Sequence, residues 1–309
     1  MKEKKAARAE MEKLMAELAQ TLWEQNAQTS AGPKKAENKM SKAKTTFQGS
    51  AEEAARLAQE VMYDAWETNS KSRRIKMAKR ALSIDPDCAD AWSLLADDAA
   101  KSLDQAIDYY EKGMNAGRRS LGEKKFKQYE GGFWGFLDTR PYMRARAGLM
   151  MCLWLAGNGD AAIGHAKDML KLDPNDHQGI RYRLISYLAA LGRYDELGTV
   201  MKGSFKNDGA TEWLYARALL SFVKKGDTDA SRRELQRALQ VNKYVPAHLT
   251  GGKAVPQRLP DTITWGGEDE ASCYASENID AWKKVPGALD WLKTQSKRKN
   301  TPKGKSGGK

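Results

Sequence analysis

The sequence predicts an all-α protein: a tetratricopeptide-like helical-repeat solenoid of about five helix pairs, with a C-terminal helical cap and a basic tail at each end. Three observations carry this. From Ser50 to Leu292 hydrophobic residues recur at spacings of three and four, with helix stops every 12 to 18 residues and almost no strand alternation. Three segments, RARAGLMMCLWLAGNGDAAI, RYRLISYLAALGRYDELG and YARALLSFVKKGDTDASR, align with one another from Arg146, Arg181 and Tyr215, at intervals of 35 and 34 residues. That is the tetratricopeptide period, and each unit reads as helix, glycine turn (Gly157, Gly192, Gly226) and second helix.

Taken in order, residues 1–27 place Met11, Leu14, Met15, Leu18 and Leu22 on one stripe of an otherwise charged segment, which predicts an amphipathic helix that docks on a partner, folds back on its own body or frays. Residues 28–49 read as a flexible linker, because Gly, Pro, Ser and Lys crowd out any apolar period. The repeat domain spans residues 50–292, with pairs beginning near residues 51, 89, 143, 178 and 212. Between pairs, IDPDCADAW and LDPNDHQGI turn at Pro86 and Pro174, where a residue without an N–H and with a fixed φ suits the chain reversal before a helix. Small residues at Ala78, Ala81, Ala162 and Ala166 allow close helix packing. An insertion of about 20 residues over Gly117 to Thr139 separates the second and third pairs, since Trp92 and Arg146 lie 54 apart instead of one period. After the fifth pair come a proline-rich connector, a helix from Asp269 to Lys284 and a short helix from Pro286, which cap the last repeat's apolar face. Residues 293–309 read as a disordered basic tail.

The formal charge of +12 belongs mainly to the ends. Residues 1–47 hold 10 basic and 6 acidic side chains and residues 293–309 hold 7 and none, leaving 35 against 34 in the body. The body therefore lacks a nucleic-acid footprint, and the tails offer at most nonspecific, salt-sensitive attraction to RNA, DNA or an acidic surface. Cys88, Cys152 and Cys273 are too few and too scattered for a disulfide framework or a metal cluster, which fits a cytoplasmic setting. The most apolar run, residues 147–157, is half the length a membrane span needs, and the charged N-terminus has no secretory apolar region. Met40 opens an alternative, shorter start.

CADAWSLLADDAAKSLDQAIDYYEKGMNAG (88–117), TRPYMRARAGLMMCLWLAG (139–157), VNKYVPAHLTGG (241–252) and GGEDEASCYASENIDAWKKVPGAL (266–289) together resemble the suppressor of tumorigenicity 7 family and its shorter prokaryotic relatives. The resemblance covers roughly residues 80–292, including the insertion and the cap. It implies a repeat scaffold, leaves the ligand open and supplies no catalytic residues to carry over. The family's eukaryotic members resemble membrane proteins with added hydrophobic segments, which this sequence lacks.

For function, the densest unusual cluster is GGFWGFLDTRPYMRARAG at 131–148, where Trp134 and Tyr142 interleave with Arg140, Arg144 and Arg146. Guanidinium forks beside aromatic rings suit a phosphate, a carboxylate or a base; the alternative is that they tie the insertion to the solenoid, with an arginine paired to Asp138 or Glu130. The repeat register places Arg144, Met151 and Trp154, then Tyr182, then Trp213 on the concave face, a lining suited to an extended peptide or an amphipathic helix unless the C-terminal helices fill it. The candidate partner-binding residues are thus Trp134, Arg140, Tyr142, Arg144, Met151, Trp154, Tyr182 and Trp213, with no metal site and no cofactor expected. The Lys and Asn residues of the tetratricopeptide carboxylate clamp are absent. His165, His177 and His248 stand apart from acidic or nucleophilic partners at any recognised spacing, with His177 expected in a solvated turn. Asp97 with Asp98 and the run Glu268 to Glu270 read as helix faces or N-terminal charge. The expectation is a non-enzymatic scaffold that binds a protein of unidentified sequence, with a nucleic-acid-associated adaptor using its tails as the alternative.

Overall fold

The computed structural model describes residues 49–260 and 262–297; the N-terminal stripe, the linker and the tail beyond residue 297 lie outside them. The described residues form helices and short 3-10 turns only, and the chain divides into two compact units at Ile180/Arg181.

In the first unit, α1 (Ala51–Glu67) starts where the Ser50 hydroxyl accepts the Glu53 N–H, with Glu52 and Glu53 in its positive first turn. It buries Ala54, Ala58, Val61, Met62 and Ala65, one face at helical spacing. α2 (Lys71–Ile84) returns against it through fully buried Ala78 and Ala81. α2 stops at the Pro86 turn, where the Asp85 carboxylate accepts the Asp87 N–H at 2.9 Å and α3 (Ala89–Asp98) begins. α4 (Leu103–Tyr129), α5 (Arg140–Leu155) and α6 (Gly159–Leu172) complete the series. Each helix packs on the next, and the first helices also pack on one another, α1 with α3 and α3 with α5. That pattern defines stacked hairpins and brings α1, α3 and α5 side by side.

The insertion is mostly helix. α4 runs on past the expected end of its pair and breaks at Gly122 (φ 68°, ψ 158°), a backbone region open in practice only to glycine. Two 3-10 turns, Phe133–Gly135 and Leu137–Thr139, then lead into α5.

The second unit contains α7 (Ile180–Ala190), α8 (Tyr194–Lys202), α9 (Thr211–Lys225), α10 (Asp229–Val241), α11 (Val245–Leu249), α12 (Glu268–Lys283) and α13 (Ala288–Lys297). α10 opens on a reciprocal cap between Thr228 and Ser231. α12 packs on α9 and α11, and α13 on α10, α11 and α12, so the last two helices do close the unit. Their anchors are aromatic. Trp282 donates to the Tyr274 hydroxyl at 3.0 Å, and Trp291 stacks on Phe222 at 4.6 Å while donating to Asp227. α13 continues to Lys297 with Gln295 buried, five residues past the tail boundary expected at 293.

Candidate functional site

The first helices α1, α3 and α5, with Tyr110 of α4 and Gln178, form a cleft of about 200 Å³ in the first unit, lined also by Trp66, Asp90, Ser93, Leu94, Asp97, Arg144, Ala147, Gly148 and Met151. At its floor the Arg144 guanidinium grips Asp90 with two bonds, Nε to Oδ1 at 2.8 Å and a second nitrogen to Oδ2 at 2.5 Å. Both side chains are buried, at 6% and 0% exposure. Gln59 from α1 donates to the same carboxylate at 2.9 Å, and the guanidinium lies 5.4 Å from the Trp66 ring centre. This three-helix knot fixes the walls. Gly148 lets the Tyr110 ring pack directly on α5: a Cβ there would fall 2.1–2.5 Å from that ring, whose hydroxyl donates to Asp97 at 2.6 Å. Above the knot the lining turns apolar, with Leu94, Ala147 and Met151, the last 39% exposed.

Of the sequence-derived candidates, Arg144 and Met151 line this cleft. Trp154 lies half-buried further along α5. Trp134 and Arg140 stand outside the cleft's lining: Arg140 donates to the Trp134 carbonyl at 3.1 Å and its guanidinium lies 5.1 Å from the Trp134 ring centre. Tyr142 is a buried side chain in an edge-to-face cluster with Phe126 and Phe133, at 5.2 and 5.9 Å, so it is not available to a partner on the surface. Arg146 donates to the Tyr142 hydroxyl and to His165 and pairs with Asp168. These contacts anchor the insertion to the helices. The acids expected to pair with arginine pair with lysine instead, Asp138 with Lys125 at 3.5 Å and Glu130 with Lys171 at 2.9 Å.

Tyr182 and Trp213 belong to the second unit. Tyr182 is held between Arg181, stacked at 4.1 Å, and Asp208, which accepts its hydroxyl at 3.1 Å; burial first, then Asp208, pushes that phenol up to about 12. Trp213 is fully buried beside Phe205, which corrects its expected place on an open binding face. Ser186, Ala189, Ala216 and Leu220 are buried with it. A Cβ at Gly198 of α8 would lie 3.8 Å from Leu220, so this face of α9 turns toward the preceding hairpin. α12 packs on the other side of α9, at Thr211 and Tyr215, and ties itself to α7 through Arg183–Glu277 and through Lys284, whose ammonium donates to the Ala190 carbonyl at 2.6 Å.

Several polar residues read differently in three dimensions. Asp98 is not a solvated face: it forms a buried two-bond pair with Arg74, at 2.5 and 3.0 Å. Glu268 and Asp269 do sit in the first turn of α12, but Glu270 is buried, and its Oε2 accepts from Thr211, Asn242 and the Gly266 N–H at 2.8–2.9 Å. It joins α9, the α10 end and α12. His177 is not isolated, because Asp173 accepts its backbone N–H and contacts its ring at 2.9 Å. His165 is shifted toward the neutral form by burial and by Arg146. His248 is buried with no hydrogen-bond partner at either ring nitrogen, and its Nε2 lies 4.0 Å from Glu268. Among the described residues no group of three His, Cys, Asp or Glu side chains converges as a metal site, and no helix is long and apolar enough to cross a membrane.

Known proteins resemble this chain as follows. The family model described as ST7 protein matches residues 27–175. The suppressor of tumorigenicity 7 protein-like of Gallus gallus is 27% identical over 265 residues, covering 78% of this chain and 47% of that protein. The corresponding protein of Bos taurus is 28% identical over 263 residues, with coverages of 75% and 45%, and the ST7 homolog of Drosophila melanogaster is 26% identical over 257, with 75% and 47%. The chain spans about half the length of the curated relatives it matches. The solved structure of YrrB, described as a TPR protein with an unusual peptide-binding site, aligns at a TM-score of 0.44 and 18% identity over 62% of this chain and 86% of that one. Residues 27–175 thus match the ST7 family model, and the chain is similar to the suppressor of tumorigenicity 7 proteins over about three quarters of its length.

Proposed function

We propose that the chain is a non-enzymatic protein-interaction scaffold, and that the cleft between α1, α3 and α5 binds a peptide segment or helix of a partner. The carrying observation is that three successive first helices contribute side chains to one concave, partly apolar cleft whose walls are fixed by the buried Arg144–Asp90 pair. A preformed surface of this kind binds without the entropic cost of ordering its own walls. Apolar Leu94, Ala147 and Met151 suit the apolar face of a helix or alternate side chains of an extended peptide, while Ser93, Asp97 and Gln178 offer acceptors for its polar groups. The Gln178 side-chain oxygen supports this, since it is buried without a hydrogen-bond partner within the protein.

The test compares affinity capture by the full chain with capture by Met151→Glu and by Trp265→Glu, the latter in the second unit, where Trp265 is 74% exposed. The expected outcome is a partner that survives nuclease and high salt, is lost at least tenfold with Met151→Glu and is kept with Trp265→Glu. A partner set indifferent to Met151→Glu would sink the cleft reading. Binding that disappears with nuclease or on removal of residues 298–309 would favour the nucleic-acid adaptor.

A further inference from the structure

The polar lining of the first-unit cleft is one-sided. The Ser93 hydroxyl donates to the Ala89 carbonyl at 3.1 Å and the Tyr110 hydroxyl to Asp97 at 2.6 Å, so both turn lone pairs toward a ligand. Arg144 spends its Nε and a second nitrogen on Asp90. Gln178 adds a side-chain oxygen that is buried without a partner in the protein. The charged residues of the lining are Asp90, Asp97 and Arg144, one carboxylate in excess, and Asp98 next to Asp97 adds nothing because Arg74 neutralises it. The excess lies at Asp97, which is exposed, whereas the Asp90–Arg144 pair is buried. Size narrows the choice further. At about 200 Å³ the cleft is smaller than the roughly 300–1,000 Å³ of a pocket for a drug-sized ligand, so it holds one long side chain and leaves the backbone that carries it at the rim.

We infer that the cleft takes one lysine or arginine side chain of the partner segment, its stem against Leu94, Ala147 and Met151 and its charged end at Asp97; this rests on the cleft being the partner site. Lysine and arginine combine a long apolar stem with a head that only donates. The stem fits the walls and the head fits the acceptors. Once Gln178, half-buried at the cleft, turns its oxygen toward the head, a buried acceptor that had none gains a donor. An all-carbon chain of the same length would shut Asp97 off from water and give nothing back, and a carboxylate would meet the excess negative charge.

The test uses the full chain with its methionine methyls labelled with carbon-13, the Met151 signal being identified by its loss in Met151→Leu. The probes are four capped pentapeptides, acetyl-Gly-Ala-X-Ala-Gly-amide, with lysine, arginine, norleucine or glutamate at X. The lysine or the arginine peptide should shift the Met151 signal and bind about tenfold more tightly than the norleucine peptide, the factor of one hydrogen bond to a charged group, with glutamate weakest. Asp97→Asn, which keeps an acceptor for Tyr110, should remove most of that factor and leave norleucine unchanged, and Asp97→Lys should put glutamate ahead of lysine. Both changes fall at an exposed position and should leave the melting temperature where it is. Norleucine or glutamate binding as tightly as lysine and arginine, or basic peptides indifferent to Asp97→Asn, overturns the inference and leaves the cleft as a peptide site. A Met151 signal that none of the four peptides moves overturns it as well, and capture with Met151→Glu then decides separately whether the cleft reading stands.

Discussion

At the residue scale, the cleft is built on one buried charge pair. Its second charge is what makes each partner tolerable inside the protein, so removing one is worse than removing both. Asp90→Ala strands the Arg144 guanidinium at a site with 6% exposure and is expected to cost about 3–5 kcal/mol in urea unfolding, with Asp90→Ala/Arg144→Met recovering much of the loss. Glu212 on α9 supplies a pH-dependent test. Burial raises its pKa above the ordinary 4.5, and Glu270, Glu277 and Asp208 push the same way against its own backbone N–H. The folded state therefore binds more protons than the unfolded one above that ordinary value, and stability falls as pH rises through the window between the unfolded and folded pKa. Glu212→Gln should accordingly raise the melting temperature at pH 7, with the advantage gone below about pH 4; an advantage that persists there would contradict the account.

At the element scale, the break in α4 explains how an insertion can extend a hairpin without leaving it. Past Gly122 the helix carries Phe126 against Phe133 at 4.8 Å and against Tyr142, and Tyr129 stacks on Phe136 at 3.7 Å. A Cβ at Gly122 would meet nothing within 4 Å, so any penalty there is purely conformational. Gly122→Ala is expected to cost about 1–3 kcal/mol, read by chemical unfolding, whereas a helix able to straighten freely would show no loss. The 34- and 35-residue period and the Pro86 and Pro174 turns made the hairpins readable in sequence, because periodicity and turn chemistry are local properties. The aromatic cluster of the insertion was visible as composition, but whether its rings faced a ligand or each other depends on a chain reversal that no local pattern encodes.

At the scale of the whole molecule, the two units differ in what their first helices leave open. In the first unit α1, α3 and α5 leave a cleft; in the second, Trp213, Ala216 and Leu220 are buried on one side of α9 while α12 packs on the other. The closing helices carry much of the second unit's apolar burial through Trp282 and Trp291. Trp291→Ala, which removes the ring stacked on Phe222 and the donor to Asp227, is expected to cost about 3–5 kcal/mol and to expose apolar surface detectable by dye binding. A near-neutral effect would mean that α13 contributes little to closure.

The sequence by itself determined that this protein is helical, that its helices pair at a tetratricopeptide period, where its turns fall and that a helical cap follows the last pair, because each of these rests on spacing along the chain. Only the tertiary structure decided which candidate residues reach the surface. Arg144 and Met151 line an open cleft, whereas Trp213 and Tyr142, equally prominent as residues, are buried. Glu270 and Asp98 become buried cross-links instead of surface charge. The reason is physical: a side chain's exposure is set by the helix that packs over it, and partners such as Asp90 and Arg144, 54 residues apart, meet only when two successive hairpins stack.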